Sequence, residues 1–301
     1  MREIAEVART WLFVPGDRPE RFDKAAAAGA DIVILDLEDA VSPGAKQFAR
    51  DAVVTWVGGA RTPFAVRINA VDRPGHKDDL ATLAGLGRPT VVMLPKAEDP
   101  GTVAAVLAAL PVGSAVVALI ETALGVIRAT DIAQSPGVVR LAFGSYDFAA
   151  GLGVDPDHPP ALAAARSMLV LASAVAQLEG PVDGVTGDVY DHDRLVADVE
   201  AAVALGFAGK LCVHPTQVSP AASALAPTAE EVAWAAKVLA AVSEGGGQGV
   251  VLLDGRMVDA PVIARAKRLR RTGEAAVRPS AERPRGAAQQ AMGFPHTFSE
   301  I

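Results

Sequence analysis

Glu121 and Asp147 follow closely on two short apolar runs, Ala115–Ile120 and Val138–Phe143. An acid at the end of each of two successive buried strands is a pair of oxygen donors suited to a hard divalent cation. Mg²⁺ takes about six oxygens and is commonly held by one or two carboxylates, with substrate and water completing the shell. Arg67 lies near the end of another run, Phe64–Ile68, and offers a planar fork of donors for a carboxylate or a developing oxyanion. A 2-oxoacid suits this set. Its carboxylate and carbonyl oxygens can chelate the metal, and the metal then polarises the carbonyl. Asp36 and Glu38 are two residues apart and so share one strand face. Glu38 could orient Arg67 or a metal-bound water, and Asp36 serves equally well as a structural acceptor. Acids at strand ends also cap helices and join structural ion pairs, so spacing alone leaves that reading open for Glu121 and Asp147.

Other polar residues near run ends have simpler readings. With a metal as electron sink, Lys96 has an electrostatic or structural role rather than that of a Schiff-base lysine. His214, before Pro215, fixes a turn, and Cys212, flanked by apolar residues, belongs to the core. The run Lys267–Arg271 reads as an exposed basic helix face.

The elements that would position these residues alternate along the chain. Short apolar runs at Trp11–Pro15, Asp31–Leu37, Phe64–Ile68, Thr90–Pro95, Ala115–Ile120, Val138–Phe143, Val182–Thr186 and Gly209–Val213 read as strands buried on both faces. Between them lie Ala-rich helical segments such as Pro43–Val57, Pro100–Leu110 and Ala161–Leu178, with Ser42 and Asp99 as capping residues. Strands interleaved with helices predict an α/β fold, a closed (β/α)8 TIM barrel, with the site at the C-terminal strand ends. A doubly wound open sheet would need a glycine-rich first turn, and Val14–Pro19 is not a dinucleotide fingerprint. Thr228–Ser243 reads as a helix, Gly245–Gly247 as a break, Val250–Asp259 as a hairpin around Asp254-Gly255, and Ala260–Arg271 as a basic helix. The predicted organisation is a barrel over 1–226, a C-terminal extension over 227–275 and a flexible tail over 276–301.

Composition narrows the class. The chain has 301 residues, half of them hydrophobic, enough for one large core and an appendage. A net charge of −7 lacks the basic field that nucleic-acid binding needs. The single cysteine excludes an internal disulfide and fits a reducing compartment. With no signal-type run at Met1–Glu6 and no convincing membrane span, the expectation is a cytoplasmic protein away from membranes.

The motifs taken in order carry a further signal. They are Phe13–Arg21, Leu35–Val41, Val66–Asn69, Leu94–Glu98, Ile120–Ala123, Phe143–Phe148, Gly209–Pro215 and Met257–Pro261. Together they resemble the citrate lyase beta-subunit-like CoA-ester lyases of the HpcH/HpaI aldolase/citrate lyase superfamily. The resemblance implies a Mg²⁺-dependent barrel, with Mn²⁺ as an alternative ion, in which Glu121 and Asp147 are the metal ligands and Arg67 binds the oxoacid. It implies cleavage or formation of a 3-hydroxyacyl-CoA such as malyl-, citramalyl- or citryl-CoA, with an acyl-CoA and a 2-oxoacid as partners in the reaction. It implies that Asp259 lies on a lid that reaches a neighbouring subunit's site and acts there as acid or base, in a homotrimer or a hexamer. Arg18, Arg21 and Lys24 are the local candidates for the CoA phosphates. A metal-dependent aldolase on a CoA-free hydroxy-oxoacid, or a subunit working only with an acyl carrier protein, are the alternatives. Tyr146, just before Asp147, departs from the acidic or small residue many relatives carry and could narrow the pocket.

Overall fold

Each apolar run forms a strand because β-branched and large aliphatic side chains suit a pleated surface covered on both faces. The computed structural model describes residues 1–244 and 251–277. The strands are β1 (Thr10–Pro15), β2 (Ile32–Asp36), β3 (Phe64–Arg67), β4 (Val91–Leu94), β5 (Ala115–Ile120), β6 (Val138–Phe143), β7 (Val182–Asp183) and β8 (Gly209–Cys212). They are parallel and close in sequence order, with β1 paired to β8 through Thr10↔Lys210 and Leu12↔Cys212. The (β/α)8 barrel is therefore present.

Two apolar layers follow from the two-residue side-chain period. Trp11, Ile34, Met93 and Leu119 belong to one buried cluster, the barrel interior. Leu12, Leu35, Val92 and Ile120 belong to another, packed under helices such as Lys46–Gly59 and Pro159–Val175. The same period carries the inner face from Ile34 to Asp36, from Ala65 to Arg67 and from Leu119 to Glu121. The strands thus end, on their inner face, in charged groups.

Several elements differ from the sequence reading. The segment expected as one helix from Pro43 opens as a 3-10 turn, Pro43–Ala45, and Ser42 makes no capping bond with its side chain. Asp99 does cap, accepting from the N–H groups of Gly101 and Thr102. Strand β7 has two residues rather than the five of Val182–Thr186. Gly184 lies so close to Ser145 that a Cβ there would overlap its hydroxyl, and Gln217 Nε2 takes the Thr186 carbonyl at 3.0 Å, so the backbone leaves the sheet early. A short helix, Arg2–Val7, was not expected. Its Ala5 joins Ala8 and Trp11 in the inner cluster, and Arg140 Nη1 donates to the Glu6 carbonyl at 2.6 Å.

The chain divides into two compact units, Met1–Ala226 and the residues from Pro227 on. In the second, Thr228 and Glu231 form a reciprocal capping box that starts helix Ala229–Glu244. Hairpin strands β9 (Val251–Leu253) and β10 (Arg256–Val258) turn at Asp254 and Gly255, both left-handed at φ 50° and 74°. Helix Ala260–Val277 follows, longer than the Ala260–Arg271 expected and past the predicted boundary at 275. Ala235, Val238, Val258 and Ala266 make a small core of their own. The Gly245–Gly247 break and all but the first two residues of the tail expected over 276–301 lie outside the described residues, and those two belong to helix Ala260–Val277. No described helix is long and apolar enough to cross a membrane.

Candidate active site

Arg67 at the end of β3 is fixed from two sides. Its Nε and Nη2 donate to Asp36 Oδ1 and Oδ2 at 2.8 and 2.6 Å, a two-pronged pair that the register Asp36↔Arg67 sets up directly. Nη1 lies 3.1 Å from Glu38 Oε2, and the guanidinium stacks 4.8 Å over the Phe13 ring. Burial opposes its charge, but Asp36 and Glu38 more than offset that and hold it above its usual value. Asp36 also accepts from the N–H groups of Glu38 and Ala40, so it is the structural acceptor of the pair. Each terminal nitrogen of Arg67 keeps a second N–H for a ligand.

A brace behind β2 and β3 holds these two strand ends. Lys46 Nζ donates to the Leu37 and Glu38 carbonyls and to Asn69 Oδ1, at 2.7, 2.7 and 2.8 Å. Asn69 in turn donates to Asp79, which Arg50 pairs at 3.1 Å. The sequence reading found Asn69 but not Lys46, Arg50 or Asp79. No spacing rule links them to Asn69, because Lys46 and Arg50 come from helix Lys46–Gly59 and Asp79 from helix His76–Ala84.

Glu121 is 2 % exposed. Its Oε1 accepts the Lys96 backbone N–H at 2.9 Å, and Lys96 Nζ stands 3.6 Å from the same oxygen and 3.8 Å from Glu38 Oε1. Gly144 packs so tightly on Glu121 that a Cβ there would overlap its Cβ and Oε2. Burial, reinforced by the charge of Asp147, pushes the Glu121 carboxyl up to about 7 against the pull of Lys96. Burial lifts Glu38 further, to about 8. Asp147 sits in the first turn of helix Ser145–Leu152, exposed at the barrel mouth. The hydroxyl of Tyr146 is engaged by the Gly187 backbone in the loop after β7.

The cluster is short of positive charge. Arg67 and Lys96 face Asp36, Glu38, Glu121 and Asp147 at the mouth, Lys46 adds its charge near Asp36 and Glu38 from behind, and Glu38 Oε2 is buried without a hydrogen-bond partner among the described residues. Hard oxygen donors gathered in a cluster with more acids than cations fit a divalent cation of the Mg²⁺ type. Among the described residues no three His, Cys, Asp or Glu side chains form a complete cage. Glu121 and Asp147 could therefore supply only part of a coordination shell, leaving positions for substrate and water.

The remaining expected residues are placed as follows. Arg18, Arg21 and Lys24 are exposed just after β1, with Arg21 3.9 Å from Glu20. His214 Nδ1 pairs with Thr216, the turn-fixing role expected of it. Cys212 is buried, and burial pushes its thiol up to about 12, which fits a core residue. Asp259 belongs to the second unit, where Oδ1 accepts the Val262 N–H at 3.3 Å at the start of helix Ala260–Val277.

A closed parallel barrel with an acid-and-arginine cluster at the C-terminal strand ends defines an enzyme whose site is suited to metal-assisted chemistry on an oxygen-rich anion. Residues 9–215 match the HpcH/HpaI aldolase/citrate lyase family model, and the chain belongs to that family. It is thereby an enzyme of the lyase class. A citrate lyase subunit beta-like protein of Mycobacterium tuberculosis is 42 % identical over 274 residues, covering 88 % of this chain and 96 % of the relative. A (3S)-malyl-CoA thioesterase of Cereibacter sphaeroides is 34 % identical over 281 residues, covering 91 % and 98 %. Among solved structures, the CitE protein of Mycobacterium tuberculosis in complex with magnesium, acetoacetate and coenzyme A superposes with a TM-score of 0.76 at 36 % identity. The superposition covers 89 % of this chain and 99 % of that one.

Proposed function

We propose that this protein is a Mg²⁺-dependent carbon–carbon lyase that cleaves or forms a 3-hydroxyacyl-CoA, with an acyl-CoA and a 2-oxoacid on the other side of the reaction. The observation that carries this reading is the continuous charged cluster running from Arg67 through Glu38 and Lys96 to Glu121. It joins an oxyanion donor to a metal-type carboxylate in one barrel mouth. Glu121 and Asp147 would hold the ion. When bound, Mg²⁺ supplies Lewis acidity at the oxoacid carbonyl and charge stabilisation at the oxygen formed there.

The chain's own groups account for the other requirements. The free N–H groups of Arg67 bind the substrate carboxylate, and Asp36 and Glu38 keep the guanidinium from turning. In the cleavage direction the 3-hydroxyl proton leaves to a base, the bond between the carbinol carbon and the thioester α-carbon breaks, and its electron pair moves onto the α-carbon. Asp259 delivers a proton to that carbon. Asp259 would do so from a neighbouring subunit, with the extension from 227 onward acting as a lid in a homotrimer or hexamer. Arg18, Arg21 and Lys24 would meet the CoA phosphates at the mouth.

A panel of malyl-, citramalyl- and citryl-CoA with Mg²⁺, followed by product identification, tests the reading. Release of an acyl-CoA and a 2-oxoacid, lost in Arg67→Ala, is the expected result. Equal turnover of a CoA-free hydroxy-oxoacid would overturn it in favour of a simple aldolase.

A further inference from the structure

Two cations face the buried acids at the mouth, and they are held very differently. Arg67 is 12 % exposed and locked by two short hydrogen bonds to Asp36. The Lys96 side chain is 30 % exposed, and its ammonium sits 3.6 and 3.8 Å from Glu121 and Glu38, beyond hydrogen-bond distance. Its backbone is the unusual part. Lys96 has φ 47°, a left-handed conformation that a residue with a Cβ adopts rarely. The conformation turns the Lys96 N–H onto Glu121 Oε1 at 2.9 Å, the oxygen that its ammonium also faces. One residue therefore addresses the same carboxylate twice, once through a fixed donor and once through a flexible arm with a way out to solvent.

We propose that Lys96 is a displaceable counter-ion of the metal site. Its ammonium neutralises Glu121 and Glu38 while the site holds no metal and withdraws toward the mouth when a divalent cation enters, and its N–H stays behind to orient Glu121. The inference rests on the assignment of Glu121 and Asp147 as metal ligands. Its physical basis is direct. An ammonium and a divalent cation cannot both lie against one carboxylate without strong mutual repulsion, and the less firmly held charge gives way. Lys96 is thus a positioning residue, and its signature is in metal affinity and metal-free stability rather than in turnover alone.

The test is isothermal titration of Mg²⁺ into the full-length wild type and Lys96→Met at pH 8.5, with melting temperatures in EDTA and in excess Mg²⁺. Lys96→Met should bind Mg²⁺ at least about fivefold more tightly. It should melt lower than wild type in EDTA, and Mg²⁺ should raise its melting temperature by more than it raises that of wild type. Adding Glu38→Gln to Lys96→Met removes one of the unneutralised charges and should recover part of the EDTA stability. If Lys96→Met unfolds in EDTA, the double variant supplies the comparison. A Lys96→Met protein that binds Mg²⁺ no better than wild type overturns the proposal. Failure of the wild type itself to bind Mg²⁺ would instead overturn the ligand assignment.

Discussion

At the scale of single residues, the site depends on charges that burial makes expensive and neighbours make tolerable. Glu121 and Glu38 are lifted to about 7 and about 8 because water is excluded from them, so they gain most from a cation arriving beside them. Glu121→Gln and Asp147→Asn keep the shape and remove the charge. Each should weaken Mg²⁺ binding in calorimetry by at least about a hundredfold, roughly 2.7 kcal/mol, while the circular dichroism spectrum stays that of the wild type. Arg67→Lys keeps the charge but not the fork. A lysine puts three donors on one nitrogen and cannot span Asp36, Glu38 and a substrate carboxylate as the five-donor planar fork does, so kcat/KM should fall by about 10²–10³. The candidate acids and Arg67 were legible in the sequence because they lie at or shortly beyond the ends of apolar runs. The backbone of Lys96 was not, because its conformation answers to a carboxylate 25 residues further on.

At the scale of elements, boundaries were legible where the chain's own pattern sets them. Strands β5 and β6 match the sequence reading to the residue, since β5 is a continuous apolar run and β6 is one broken only by Arg140. Strand β7 and the brace of Lys46, Asn69 and Asp79 depend on partners from other elements, and local pattern carries no trace of those. The step from β6 into helix Ser145–Leu152 is equally a tertiary matter. Gly144 lets the backbone pass against Glu121, so Gly144→Ala should destabilise the protein by about 1–3 kcal/mol in denaturant melts and weaken Mg²⁺ binding with it. Asp259 allows a cleaner separation of roles. Asparagine caps a helix about as well as aspartate, whereas alanine forfeits roughly 0.5–2 kcal/mol. If Asp259 moves a proton, Asp259→Asn should lose turnover with unchanged stability, and Asp259→Ala should lose both.

At the scale of the whole molecule, fold and family agree. A closed barrel gives a rigid mouth, and the residues that match the family model, 9–215, span all eight strands. The arrangement of the second unit over a neighbouring site was an expectation of family resemblance, and subunit mixing tests it. Glu121→Gln and Asp259→Asn homomers should each be inactive, and hybrids refolded from the two should recover activity in sites that draw an intact residue from each chain. No recovery would confine Asp259 to its own subunit or to its helix cap. The closed ring has one more consequence. Every strand of the barrel is paired on both sides, so it offers no free backbone edge to an outside chain. The hairpin of β9 and β10 does, and Leu252 and Met257 on it are 75 % and 64 % exposed. Among the described residues, unwanted strand addition between molecules, and so the onset of aggregation on storage, has its opening at this hairpin rather than in the catalytic barrel.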